Sequence, residues 1–205
     1  MADFELSFVL LSALTLASIY GLLAVGVSII WSSLGMLNMA HGLTFTVAGY
    51  GAVLAATHLS EHGSVVLLAG MGSGMLCGMF ISAVAFIPLH DKPNFVVRSL
   101  IATLALSLLG TQAMLWLFGP SAKSLPPLFG SEVISVLGMK LLPDKLGSIV
   151  VSLVLMLATL VWVKRSRTGL EIRAMMQNPE GAALVGIGVR STAMAVMAVT
   201  GALAG

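Results

Sequence analysis

Charge is what this sequence has least of. Asp, Glu, Lys and Arg make up 9% of its 205 residues, against about 25% in soluble domains. The shortage excludes a globule covered by water, and with 58% hydrophobic residues the solvent of this chain must be lipid. None of the four charged types occurs between Leu6 and Ser60. A net charge of +2, scattered along the chain, excludes a nucleic-acid surface. The single cysteine, Cys77, allows no intramolecular disulfide and, inside an apolar stretch, reads as an inert buried thiol. The start, Met1-Ala2-Asp3-Phe4-Glu5, lacks the basic region of a cleavable signal, so the first apolar run reads as a retained span. Catalytic sets are missing as well. His41, His58, His62 and His90 are dispersed without metal-ligand spacing, and neither a GxSxG motif nor a phosphate-binding loop occurs. No catalytic residue, metal site or cofactor is therefore expected, and ATP hydrolysis within this chain is not.

What the sequence does have is continuous apolar runs. A helix rising ~1.5 Å per residue needs about 20 of them to cross ~30 Å of hydrocarbon, whereas membrane strands would alternate polar and apolar residues. The expected fold is an all-α, polytopic transmembrane helix bundle forming one domain over residues 1–205, with about six apolar spans. They fall at 8–31, 43–58, 64–89, 99–118, 146–163 and 191–205. The last run would reach only ~22 Å and meets no polar stop, which predicts a span cut short and a chain incomplete at its C-terminus. Orientation follows the distribution of Lys and Arg. Lys92, Arg98, Lys164, Arg165, Arg167, Arg173 and Arg190 fall on one side, and Lys123, Lys140 and Lys145 on the other. The split predicts an outside N-terminus and a cytoplasmic loop at 164–190.

Three polar or small-residue features interrupt the apolar pattern. Gly70, Gly74 and Gly78 recur every four residues, which reads first as a helix-packing stripe that lets a neighbouring backbone approach and second as a substrate path; the same holds for Gly201 and Gly205. Gln112 places an amide inside the fourth span, where it needs a partner or water: either a solute path or an interhelical hydrogen bond. Asn38 and His41 sit between the first two spans. Such a polar break either lines a cavity or is an interfacial turn whose Asn38 caps the second helix. Asn38, His41 and Gln112 are therefore the candidate path residues.

The 164–190 loop carries the strongest local signals. Thr168-Gly169-Leu170-Glu171 matches a capping box for a short helix ending near Gln177. Asn178-Pro179-Glu180 restarts a helix with Asn as N-cap, Pro at the first helical position and Glu at the positive end of the dipole, and Gly186 is a stop signal. Two short capped helices carrying Ala182, Ala183, Leu184, Val185 and Ile187 form either a docking surface or an amphipathic segment on the bilayer.

Leu34-Gly35-Met36-Leu37-Asn38-Met39-Ala40-His41-Gly42 resembles the signature after the first span of the branched-chain amino acid ABC transporter permeases. Pro88 to Gly119 and Arg173 to Ile187 are similar to the same family, in the same order and spacing. The resemblance implies an inner-membrane importer of bacteria. A periplasmic solute-binding protein delivers the solute, a second permease subunit completes the path, and cytoplasmic ATPase subunits drive it. It also implies that Glu180-Gly181-Ala182-Ala183 with Gly186 is the loop that couples to the ATPase, with Arg173, Asn178 and Pro179 in the same block. Gly181 departs from the more usual Ala. Branched-chain or other neutral amino acids rank first as solute, and urea or short amides second. A channel or secondary transporter is the reading of another class; it would usually place ionisable residues inside its spans, and none is there. A membrane enzyme lacks a catalytic set.

Overall fold

The computed structural model describes residues 2–60, 62–121, 123–125, 134–136, 139–141 and 143–205. The order is α1 (Ala2–Leu34), α2 (His41–His58), α3 (Gly63–Ile81), a π-helical turn (Ser82–Phe86), α4 (Ile87–Leu89), α5 (Phe95–Phe118), β1 (Ile134–Val136), β2 (Met139–Leu141), α6 (Pro143–Arg165), α7 (Arg167–Gln177), α8 (Pro179–Leu184) and α9 (Val189–Ala204). The fold is an all-α polytopic bundle. Its one departure among the described residues is a short antiparallel ribbon between α5 and α6, pairing Ile134 with Leu141 and Val136 with Met139.

Among the described residues four segments are long and apolar enough to cross a membrane: Val9–Leu34, Gly63–Leu89, Phe95–Phe118 and Pro143–Arg165. The other two expected spans are the inner helices. Helix α2, with 18 residues, has a histidine at each end, and α9, with 16, is short. Both are screened by neighbours: α9 packs on α3, α1 and α2, and α2 packs on α3 and α5. Helix α6 lies outside α1, and α7 and α8 close one end of the bundle beneath α1 and α9.

Small residues set this arrangement. A Cβ on Gly74 would overlap the carbonyl of Gly201, one on Gly78 the carbonyl of Met197, and one on Gly70 would lie 2.8 Å from the Gly205 carbonyl. Helices α3 and α9 therefore meet backbone to backbone, which is how apolar helices associate where lipid offers no hydrophobic drive. Ala48 and Ala52 of α2 complete this three-helix contact.

Helix boundaries follow from identifiable residues. Helix α1 runs three residues beyond the expected 31, because nothing stops it before Gly35, whose φ of 61° reverses the chain. Pro88 cannot donate to the carbonyl four residues back and crowds it. The wider π turn at Ser82–Phe86 absorbs that mismatch immediately upstream. Around it Phe86 stacks on His90 at 4.9 Å and meets Phe95 edge-on at 5.5 Å. The loop after α4 is tied to the start of α9 by the Asp91–Arg190 ion pair at 3.4 Å, so both lie at the same end of the bundle.

Candidate functional site

The polar break between α1 and α2 is partly buried in the bundle, with Gly35 and Met39 exposed. Met36 and Ala40 are fully covered, Ser33 and Leu34 nearly so, and Asn38 is half-buried. Buried irregular backbone must find partners, and these residues supply them. The Ala40 amide donates to Asn38 Oδ1 at 3.0 Å, closing a side-chain turn. The Met39 amide donates to the Thr103 hydroxyl of α5 at 3.1 Å, and that hydroxyl lies 2.8 Å from the Ser99 carbonyl. Asn38 Nδ2 donates to the Met197 sulfur of α9 at 3.8 Å. Asn38 is thus not the N-cap of α2. That position is Ala40, with no side-chain cap, and helix begins at His41, two residues before the expected 43. Thr103 lies eight residues beyond the first residue of α5, so the turn sits roughly 12 Å inside the bundle from that end.

His41 is 8% exposed, and its Nε2 has no hydrogen-bond partner among the described residues. The ring fits against Gly26 of α1, where a Cβ would stand 3.2 Å from Nε2 and 3.7 Å from Thr200 Cβ of α9. It also borders an apolar cavity of about 300 Å³ whose walls include Leu16, Tyr20, Leu23 and Phe45. Asn38 and His41 therefore share one turn but face different neighbours. Gln112 does not join them. It is exposed on α5, nine residues beyond Thr103, or roughly 13.5 Å along the helix axis.

At the end closed by α7 and α8, the capping differs from expectation at one point. The N-cap of α7 is Ser166, whose hydroxyl accepts from the Gly169 amide at 2.9 Å; Thr168 is already inside the helix. The chain must turn sharply out of α6 here, since a Cβ on Gly169 would overlap the carbonyl of Val163. Ser166 is where extended backbone permits a cap, at φ −85° and ψ 159°. Glu171 is consequently not a capping-box acid. Its Oε2 accepts instead from the Thr192 hydroxyl of α9 at 3.1 Å.

Helix α8 is fixed at both ends. Asn178 Oδ1 accepts from the Gly181 amide at 2.9 Å, and Pro179 takes the first helical position. At the other end the Ile187 amide donates to the Ala182 carbonyl and the Gly186 amide to that of Ala183, with Gly186 at φ 88°. These paired bonds around a left-handed glycine are a Schellman closure. The side chains then divide. Ala182 is 4% exposed and packs inward, so it is not available to a partner, contrary to the docking surface drawn from sequence. Leu184 and Val185 are exposed at 89% and 78%. Ala183, Pro179, Glu180 and Gly186 are also outward. Arg173 lies on the exposed side of α7, with its Nε donating to the Gly169 carbonyl at 3.4 Å.

One apolar cluster joins the two regions. Ile172, Met175 and Ala182 beneath pack with Ile30, Leu34 and Met36 of the turn, with Ala85 and Phe86 of the π turn, and with Ala193, Val196 and Met197 of α9. The capped end and the polar turn share a single core.

Residues 9–205 match the family model described as branched-chain amino acid transport system, permease component. The chain belongs to this permease family. Among curated proteins it is similar to the high-affinity branched-chain amino acid transport system permease protein BraD of Pseudomonas aeruginosa. That similarity is 26% identity over 190 residues, 87% of this chain and 61% of the relative. It is also similar to the permease protein LivH of the corresponding system in Escherichia coli K12, at 25% over 188 residues, 86% of this chain and 60% of the relative. The chain thus spans about three fifths of the length of the curated relatives it matches. No solved structure matches it. Family membership, together with the four apolar helices among the described residues that are long enough to span, makes the chain a multi-pass membrane protein.

Proposed function

We propose that this chain is a permease subunit of an ATP-driven, binding-protein-dependent importer in the bacterial inner membrane. Its helices form part of the path for branched-chain or other neutral amino acids. A second permease subunit shares the path, cytoplasmic ATPase subunits drive it, and a periplasmic solute-binding protein feeds it. The observation that carries this reading is the α7–α8 end. A six-residue helix closed by a side-chain cap and a Schellman turn holds Leu184 and Val185 outward while Ala182 anchors it to the bundle core. Two large apolar side chains displayed on so rigid a support suit a groove in a partner protein. The basic residues at this end, Lys164, Arg165, Arg167, Arg173 and Arg190, support its cytoplasmic placement, and the names of the relatives, BraD and LivH of branched-chain amino acid transport systems, support the solute class. Asn38 and His41 form a wall of the path where α1 breaks. Gln112 has an amide that hydrocarbon cannot satisfy, so it faces water or another subunit.

The test is recovery of ATPase activity with tagged chain from detergent-solubilised native membranes. Leu184→Ala and Val185→Ala remove exposed side chains and keep the backbone bonds that close the helix, although Val185 is itself its C-cap residue. Loss of one anchoring contact of this kind costs ~2 kcal/mol or more, so each should lower recovery of the ATPase at equal chain abundance. Lys123→Ala, at the opposite end, should not. Unchanged recovery in the two α8 variants would make the segment a bilayer-surface element and end the coupling assignment.

A further inference from the structure

The docking end must pass its movement to the membrane helices, and apolar packing alone does this poorly. Ile172 and Met175 share one apolar cluster with Ala193, Val196 and Met197, and such packing is non-directional. Such a surface transmits compression, but it lets α7 slide or roll on α9. The Asp91–Arg190 pair also joins this end, but its side chains are 70% and 66% exposed, respectively, and such pairs contribute little.

The contact between Glu171 and Thr192 is of another kind. Thr192 is 1% exposed in the first turn of α9, and its hydroxyl donates to Glu171 Oε2 at 3.1 Å. A hydrogen bond to an ionised acceptor is directional and stronger than one between neutral groups. No local demand on α7 explains the carboxylate, because Ser166 already caps that helix. Five residues further along α9, Met197 accepts from Asn38 Nδ2, and its carbonyl is the closest approach of Gly78 on α3. The Met39 amide next to Asn38 is held by Thr103 of α5. A continuous line of named contacts therefore runs from α8 through α7, Glu171, Thr192 and Met197 to the polar turn.

We propose that Glu171 and Thr192 are positioning residues for coupling. Their hydrogen bond fixes the register of α7 on α9, so that displacement of the docked α7–α8 unit pulls α9 and the Asn38 turn with it. The inference rests on the proposed importer reading and deepens it by naming the connection that carries the stroke.

The experiment uses the native complex purified through a tag on this chain and reconstituted in liposomes. Leucine uptake and ATP hydrolysis are measured together. With the unaltered chain, absence of a recovered ATPase or of leucine uptake strikes the importer reading itself, and this inference with it, before any substitution is made. Given both, Thr192→Val and Glu171→Ala should each lower leucine moved per ATP by roughly tenfold, the scale of a hydrogen bond to a charged group. The double variant should be no worse than either single one, Thr192→Ser should keep most of the coupling, and ATPase recovery should stay at the unaltered level throughout. Unchanged leucine per ATP in both single variants would overturn the proposal. So would losses that multiply in the double variant, or losses that merely follow chain abundance or thermal stability.

Discussion

Replacing Gly74 by Ala adds one methyl group where α3 and α9 meet through their backbones. That methyl would overlap the carbonyl of Gly201 and stand 3.3 Å from Ala48 Cβ, so it is blocked on two sides. The carbonyl belongs to a helix backbone and cannot rotate away as a side chain would. Helix α9 would have to retreat on the order of 1 Å to restore a carbon contact of ~3.5 Å. Helices packed to near-crystalline density give up many contacts in such a retreat, and overpacking of this kind costs about 1–3 kcal/mol. Gly72 supplies the control. It lies on the same helix two residues away, and a Cβ there meets nothing within 4 Å. Gly72→Ala should be neutral, or stabilising by up to ~1 kcal/mol through helix propensity. The assay is reversible denaturation of the purified chain in detergent–SDS mixtures, with both variants compared with the unaltered protein. Equal stability of Gly74→Ala and Gly72→Ala, or a more stable Gly74→Ala, would refute the backbone-contact reasoning.

Other outcomes follow from the same structure. In a Cys77→Ala background, His62→Cys should react with an impermeant thiol reagent from outside and Arg167→Cys should not; the reverse pattern would invert the orientation. Asn38→Leu deprives the Ala40 amide of its acceptor at 3.0 Å, and an unsatisfied buried donor costs ~1–3 kcal/mol. If the turn also walls the path, uptake should fall further than membrane abundance; uptake that falls only in step with abundance would make Asn38 a purely structural turn residue. Gly186→Val places a β-branched residue at φ 88°, so it should open the Schellman turn and lower ATPase recovery. Ile187→Val keeps the backbone and should leave that recovery intact.

Much of this was legible in the sequence, for physical reasons. Continuous apolar runs locate spans because only helices satisfy their own backbone in lipid, and the runs near 64–89, 99–118 and 146–163 coincide with long helices. A stripe of glycines tells that a backbone approaches, though not which one, and only the fold pairs Gly74 with Gly201. Asn178-Pro179 could be read directly because its cap closes within three residues. Thr168-Gly169-Leu170-Glu171 could not. Its apparent capping box competes with Ser166, and the contest is decided by the sharp exit from α6 at Gly169 and by Thr192, which lies 21 residues away from Glu171. The inward turn of Ala182 likewise depends on a cluster assembled from distant segments. The role of Asn38 needed the fold too, since its partners include Met197, 159 residues further along. The one sequence signal for the π turn is Pro88 near the end of an otherwise unbroken apolar helix.

If this chain works as the permease of an ATP-driven importer, solute uptake must depend on ATP. Native complex purified through this chain is placed in liposomes with ATP on the ATPase side, and radiolabelled leucine is supplied with the solute-binding protein on the other. An ATP-driven importer should give leucine accumulation that requires both ATP and the binding protein, is competed by isoleucine and valine, and is unaffected by urea. Leucine equilibrating without ATP or binding protein would contradict it and indicate a channel or a secondary transporter.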